Sequence, residues 1–323
     1  MGALTSERLC SLGVFLFCAG LGCGGGGMTG DQSMGDPQVL AGTFQVTLVA
    51  PDTVTSTPGY TSLVGKVSDG ATPSSVLWTV ASTVGDCQLL KPRVPFCNTP
   101  CGSSALCVDD NKCQAYPKAM SVGTVHVTGM KTAAGSSEFD LQQVAGAYQP
   151  QTGVSLPYPA FAEGDAVQLT SSGGAYAAMT LTATGIAPLS ITSGTLQIAA
   201  GQAARLQWTP AKTPSASTIS VKLDISHHGG TKGMIQCKTA DSGSLDLPAA
   251  MITDLINLGT AGYPTIVVSR STVPGSAVIA PGRVDLAITS TVEQSVTVPG
   301  VVSCTGNSDC MMGKTCQADL TCK

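Results

Sequence analysis

Apolar and polar residues alternate along much of the chain. In residues 43–49 the apolar Phe44, Val46 and Leu48 are separated by Thr43, Gln45 and Thr47, and the same period of two recurs at 124–128 and 220–225. Residues 203–208, 265–269, 283–289 and 295–298 add strand-like runs of the same texture. A period of two sends neighbouring side chains to opposite faces of a strand. Short runs of this kind, broken by Gly, Pro and Ser every ~8–12 residues, predict an all-β body of sandwich type in one or two units. One segment departs: residues 248–257 read as a short helix, with Pro248 at its start and Gly259 past its end. A membrane barrel also alternates, but it needs aromatic girdles and strands of ~9–11 residues. Six Tyr, six Phe and two Trp are too few for girdles.

Composition sharpens this picture. Of 323 residues only 11% are charged, less than half the ~25% of an ordinary soluble domain. Ser and Thr total 69, so hydroxyls rather than charges are expected to cover the outer strand faces. Sixteen basic against 20 acidic residues give a net charge of −4, which argues against a nucleic-acid partner. With 43% hydrophobic residues the chain can build a core and is no disordered polyelectrolyte.

The N-terminus carries an export pattern. Arg8 precedes the apolar stretch from Leu12 to Leu21, too short for a membrane span of ~20 residues. Gly20-Leu21-Gly22-Cys23, followed by four glycines, resembles the signal of bacterial lipoproteins. The resemblance implies a signal peptide over 1–22, removed before Cys23, whose thiol and new amine are acylated. The departure is Gly20, where the family prefers Leu; Leu21 sits one place late, and an ordinary signal peptide releasing an extracellular protein is the alternative. Several acyl chains on one residue would hold the protein stably on a membrane. Gly24 rather than Asp after the cysteine, by the same resemblance, favours the outer membrane. Residues 23–40, rich in Gly, Met and Asp, read as a flexible tether.

Cys10 and Cys18 leave with the signal and Cys23 takes lipid, so ten cysteines remain: Cys87, Cys97, Cys101, Cys107, Cys113, Cys237, Cys304, Cys310, Cys316 and Cys322. An even number in an exported chain marks disulfides. Cys97 to Cys113 form one cluster and Cys304 to Cys322 another. Residues 101–113 align on 310–322 as a duplicated unit, with turn formers such as Gly102, Asp110, Asn111, Gly313 and Asp319 between the cysteines. Segments this small cannot bury a core, so two bridges each must replace one. Four cysteines allow three pairings and the spacing does not choose among them. Zinc sites favour spacers of two to four residues, often with His; the spacers here are mostly five and neither cluster has His. Cys87 and Cys237 are left to pair with each other; the competing arrangement joins Cys87 to the first cluster. These features place a first β unit at 41–148 with a Cys-rich insertion at 87–116, a second at 149–301, and a knot at 302–323. The unit boundary falls where Pro150, Pro157 and Pro159 cluster. One enlarged sandwich is the other arrangement.

The clusters resemble the small knots, related in pattern to the Dickkopf N-terminal cysteine-rich region, that recur in uncharacterised surface lipoproteins of myxobacteria. The likeness rests on Asp86-Cys87-Gln88-Leu89-Leu90, on Pro95-Phe96-Cys97-Asn98-Thr99-Pro100-Cys101, on Tyr116-Pro117, and on Val122-Gly123-Thr124-Val125. It covers residues 60–260 in outline, with specific motifs around the first cluster and at 235–248. It implies location and architecture, not chemistry.

Candidate chemistry is sparse. His126 shares a strand face with Thr124 and Thr128, an exposed and inert setting. His227 and His228, beside Asp224 at a Gly-rich loop, could supply metal ligands, but neighbouring strand residues point apart, which favours a polar hairpin tip. Asp241-Ser242-Gly243-Ser244 copies the loop of aspartic proteases, yet that chemistry needs two carboxylates sharing a proton and no second copy exists. Asp109-Asp110-Asn111 and Asn307-Ser308-Asp309 lack the spacing of a calcium loop and fit turns. No cofactor fingerprint is present. The expectation is a lipid-anchored, non-enzymatic surface protein with a binding or structural role in the envelope, where an envelope glycan or protein is its candidate ligand. The opposing class is a secreted hydrolase using Asp241 or a His227/His228 site, which requires these residues to converge in a cleft. A groove lined by Trp78, Trp208 or Tyr would favour sugar binding, whereas buried tryptophans would favour a purely structural body.

Overall fold

The computed structural model describes residues 39–51, 56–279 and 282–323. The expected signal peptide, Cys23 and the tether up to residue 38 lie outside the described residues. In chain order the strands are β1 (Val39–Val49), β2 (Tyr60–Val67), β3 (Leu77–Val84), β4 (Cys87–Arg93), β5 (Ala105–Asp109), β6 (Lys112–Ala115) and β7 (Val125–Thr128). They continue with β8 (Glu138–Val144), β9 (Ala147–Pro150), β10 (Ala166–Ser171), β11 (Thr180–Thr184), β12 (Leu196–Gln197), β13 (Ala204–Gln207), β14 (Ser217–Asp224), β15 (Met234–Ala240) and β16 (Ser244–Leu247). Helix α1 (Ala249–Asn257) precedes β17 (Thr265–Thr272), β18 (Gly275–Ile279) and β19 (Gly282–Thr297). Pro248 caps α1 and Gly259, with φ of +92°, follows its end.

The protein is all-β with sandwich-type packing around two cores. One sheet runs β11-β10-β7-β8-β9-β2-β1-β19-β17-β14-β15-β4-β3, with β12 and β18 also on β19. Its first part curls until β11 packs against β18 and β19. Inside lie Phe44, Val46, Leu63, Val127, Leu169 and Leu286 with their neighbours. Phe44 packs on bare backbone at Gly65, where an added Cβ would fall 2.3 Å from two ring carbons. A side chain there would evict the ring. Around the second core, β14, β15 and β17 contribute Val221, Ile235 and Ile266; the opposing layer of β13, β16 and α1 contributes Leu206, Leu247 and Leu255. β19 serves both: Val284, Leu286 and Ile288 face the first core and Val296 the second.

The strands of the two cores interleave in sequence, so the expected boundary near 149 does not separate them. Leu156, Phe161, Val167 and Leu181 all belong to the first core. Conversely, Cys87 and Leu89, from the first half of the chain, sit in the second. Alternation reports which face of a strand is buried; it is silent on which distant strand completes the ladder.

Cys87 joins Cys237 across β4 and β15, where the two are directly opposed at a Cα separation of 4.0 Å. Cys87 to Arg93 therefore form a sheet strand, and the inserted knot starts after them. The knots share one connectivity, first to third and second to fourth. Cys97–Cys107 matches Cys304–Cys316, with Cα separations of 6.0 and 5.8 Å. Cys101–Cys113 matches Cys310–Cys322, both at 5.5 Å. The duplication extends to the backbone, since Asn111 and Leu320, each two residues before the last cysteine, both adopt φ of +58°.

Candidate functional site

Asp241 is wholly buried and spoken for. Arg270 Nε donates to its Oδ2 at 2.6 Å and Nη2 to its Oδ1 at 3.1 Å. Ser217 Oγ and Trp208 Nε1 each donate at 2.7 Å. Burial alone would raise the carboxyl's pKa, but hydrogen bonds from Arg270, Ser217 and Trp208 outweigh it and hold the group below the usual carboxylate range. Arg270 also donates to Ala187 O at 3.2 Å, Pro188 O at 3.1 Å and Thr209 O at 2.6 Å. The arrangement is a fixed anion that ties connecting loops to β17, the opposite of two carboxyls sharing a proton. Arg270 escaped the sequence reading although its signal was there. Ile266, Val268 and Arg270 share one strand face, so the arginine had to enter the core and find a partner.

The histidine loop gathers no ligand set. His227 and His228 lie ring to ring at 3.9 Å, and His228 sits edge-on to Tyr263 at 6.4 Å. Asp224 Oδ1 accepts from Ser226 N and Oγ at 2.8 and 3.0 Å, while the carboxylate near His227 is Glu293, at 3.9 Å. Among the described residues, the groups of three His, Cys, Asp or Glu close enough to hold a metal are cysteines already in the two knots. Asp241 lies in a buried network apart from this loop, so the structure does not assemble a hydrolase site from these residues. His126 is exposed, with Asp140 Oδ1 at 2.7 Å from Nδ1. Asp110 and Asn111 accept from the backbone of Phe96 and Asn98, and Asn307 from Cys316 N, so these polar triplets brace the knots.

The notable opening lies elsewhere. A cleft of about 930 Å³ runs between the outer face of β1–β2, the 68–75 loop and the first knot. Small-molecule sites span ~300–1,000 Å³. Thr43, Gln45 and Lys66 form its floor, on the faces opposite Phe44 and Leu63; Leu106 and Tyr116 come from the knot. Among the described residues, no carboxylate or imidazole lines it. The walls are fastened. Ser68 N donates to Ala41 O at 2.8 Å and Tyr176 Oη to Ser68 O at 3.0 Å. Lys118 N donates to Asp69 Oδ1 at 2.7 Å, and Gln114 Nε2 to Ala71 O at 3.0 Å. Trp208 is buried and Trp78 half-buried, so of the aromatics expected at a sugar groove only a tyrosine, Tyr116, lines this cleft. The sequence offered one hint: the Gly-, Pro- and Ser-rich run at 68–75 lies within thirty residues of the first cluster.

No protein-family model matches the chain, and no curated protein matches it. Among solved structures, the FN1–FN3 domains of chicken CNTN1 are similar over 73% of this chain and 71% of that chain, at 8% identity and a TM-score of 0.19. The architecture described above rests on the strand pairing itself.

Proposed function

We propose that the protein is a non-enzymatic binding protein of the cell envelope, anchored in the outer membrane by acyl chains on Cys23. The observation that carries this reading is the large, fastened cleft whose described lining has hydroxyls, an amide, an ammonium and a phenol but no carboxylate or imidazole. Such a site can hold a ligand and lacks the carboxylate or imidazole that proton transfer ordinarily uses. Asp241, the strongest catalytic candidate, supports the same reading because its oxygens are occupied by structural donors. The ligand is an envelope glycan or protein. The test is saturable retention of purified envelope glycans and proteins by the mature chain, with its bridges intact and then reduced. Saturable capture that disappears on reduction supports the proposal. Absence of capture, together with turnover of a hydrolase substrate that Asp241→Asn or His227→Ala abolishes, replaces it with the hydrolase. Mass spectrometry of the mature N-terminus tests acylation at Cys23.

A further inference from the structure

We infer that the cleft between β1–β2 and the first knot binds an acidic saccharide, with Lys66 taking the acid group and Tyr116 stacking on a sugar ring. The inference rests on the binding reading above and gives it a site and a ligand class.

Charge is the first argument. Lys66 is the one charged residue lining the cleft, and no carboxylate lies within ion-pair distance of it among the described residues. The nearby Asp69 is outside the lining, and its Oδ1 accepts from Lys118 N. Within this cleft the ammonium of Lys66 faces no opposing charge among the described residues, which gives the site a local preference for an anion. One ammonium on a half-open floor is too little to hold a bare anion against water and salt. A ligand bound here must gain most of its affinity from the rest of the cleft.

That remainder suits a sugar. Thr43 and Ser75 bring hydroxyls that both donate and accept, while the Ser74 hydroxyl is already bonded to the Val76 backbone. Gln45 Nε2 donates to Thr289 Oγ1 at 2.8 Å and to Val46 O at 3.1 Å, which fixes the amide and leaves its oxygen as an oriented acceptor for a ligand hydroxyl. Tyr116 remains 48% exposed at the wall, an aromatic face for the C–H side of a pyranose. The knot that carries it is closed by two bridges and tied to the 68–75 loop through Gln114, so little ordering is left for the moment of binding. An apolar peptide would leave these hydroxyls unpaired, and a phosphate ion would leave Tyr116 idle.

The test is calorimetric titration of the full mature, oxidised chain with tetragalacturonate, galactotetraose and inorganic phosphate as probes. Tetragalacturonate is expected to bind at least fivefold tighter than galactotetraose, and phosphate not at all. Tyr116→Ala should weaken the tetragalacturonate about tenfold. Lys66→Gln should erase the preference for the acidic probe and flatten the salt dependence. Both side chains are on the surface, and unchanged thermal unfolding confirms that each variant is folded. Equal affinity for acidic and neutral probes, phosphate binding as tight as the saccharide, no saccharide binding, or indifference to both substitutions would each overturn the inference. Envelope capture by Tyr116→Ala and Lys66→Gln separates the two readings. Undiminished capture removes this site and leaves the binding function standing, whereas no capture by the unaltered chain removes the function itself.

Discussion

The two cysteine knots share a bridge connectivity, the spacing of their last three cysteines and a left-handed turn, yet they sit in the molecule differently. In the first, Cys113 is exposed and Cys97, Cys101 and Cys107 are half-buried. Val94 and Phe96 at its base are 72% and 67% exposed, and it is held to the body by side chains, Arg93 to Asp109 and Asp110 and Gln114 to Ala71 O. In the second, Cys304 and Cys322 are buried. Gly262 N donates to Asp319 O at 2.7 Å, and Ser303 Oγ donates to Gly262 O at 2.6 Å. One covalent frame thus serves as a projecting wall in one place and as a seal over the second core in the other. The bridges set the shape of a knot; its role follows from what its carbonyls and side chains touch.

The docking point of the second knot is where this contrast breaks most easily. Gly262 has φ of +56°, and a Cβ there would lie 1.9 Å from His227 O. Gly262→Ala therefore adds left-handed strain of ~1–2 kcal/mol to a forced shift of the 226–229 loop. We expect a loss of about 3–4 kcal/mol in urea unfolding followed by fluorescence of the buried Trp208. An unchanged midpoint would show that the knot does not seal the core.

Removing bridges sharpens the comparison at a somewhat smaller scale. Each knot bridge closes 10 or 12 residues, for which chain entropy assigns ~3 kcal/mol. Cys304→Ser with Cys316→Ser should cost the body most of that, because the second knot is part of it. Cys97→Ser with Cys107→Ser should shift the Trp208 transition by less than ~0.5 kcal/mol while weakening ligand capture. Equal shifts in both would mean that the first knot is as integral as the second.

How far the sequence reveals this molecule depends on the range of the interaction. Local signals were legible: the alternation of Phe44, Val46 and Leu48 appears as an inward strand face, and Pro248 and Gly259 bracket the helix. The repeat of 101–113 in 310–322 showed that two knots would share a frame, though spacing alone cannot select one of three pairings. Non-local facts were not legible. Nothing near Cys87 says that β4 extends a sheet begun 130 residues later at β14, and the cleft needs β1, β2 and a distant knot to meet. Asp241 was ambiguous because a protease-like loop and a structural turn use the same residues; Arg270, on a strand paired with β14, distinguishes them.

A residue-level difference between the knots gives a smaller effect. At the shared left-handed position the first knot has Asn111, which tolerates that conformation, and the second has Leu320, which does not. Leu320→Asn should stabilise the second knot by about 1 kcal/mol and Asn111→Leu should destabilise the first by a similar amount. Differential hydrogen exchange within each knot reads both, and a loss in the Leu320→Asn variant would mean that the leucine's packing outweighs its strain.

The smallest expected effect is acid sensitivity. Lys323 and Thr321 donate to the Asp319 carboxylate and lower its pKa to about 2. An unfolded aspartate titrates near ~3.9. The folded value is the lower one, so this contribution is complete above pH ~4 and is lost as pH falls through about 2. The group is exposed, so the change should be local rather than global. The Asp319 carbonyl is the acceptor for Gly262 N, so the Gly262 amide should titrate with it in NMR spectra. Lys323→Ala should move that midpoint up toward ~4. In the first knot the Asp109 carboxylate is also lowered, chiefly by the Arg93 hydrogen bond, but Arg93 belongs to β4. Acid should there loosen the knot from the sheet and leave Gly262 unmoved. If the Gly262 amide titrates near pH 4 in the unaltered chain, the Lys323 contact does not form in solution, and the C-terminal seal depends on its bridges and backbone bonds alone.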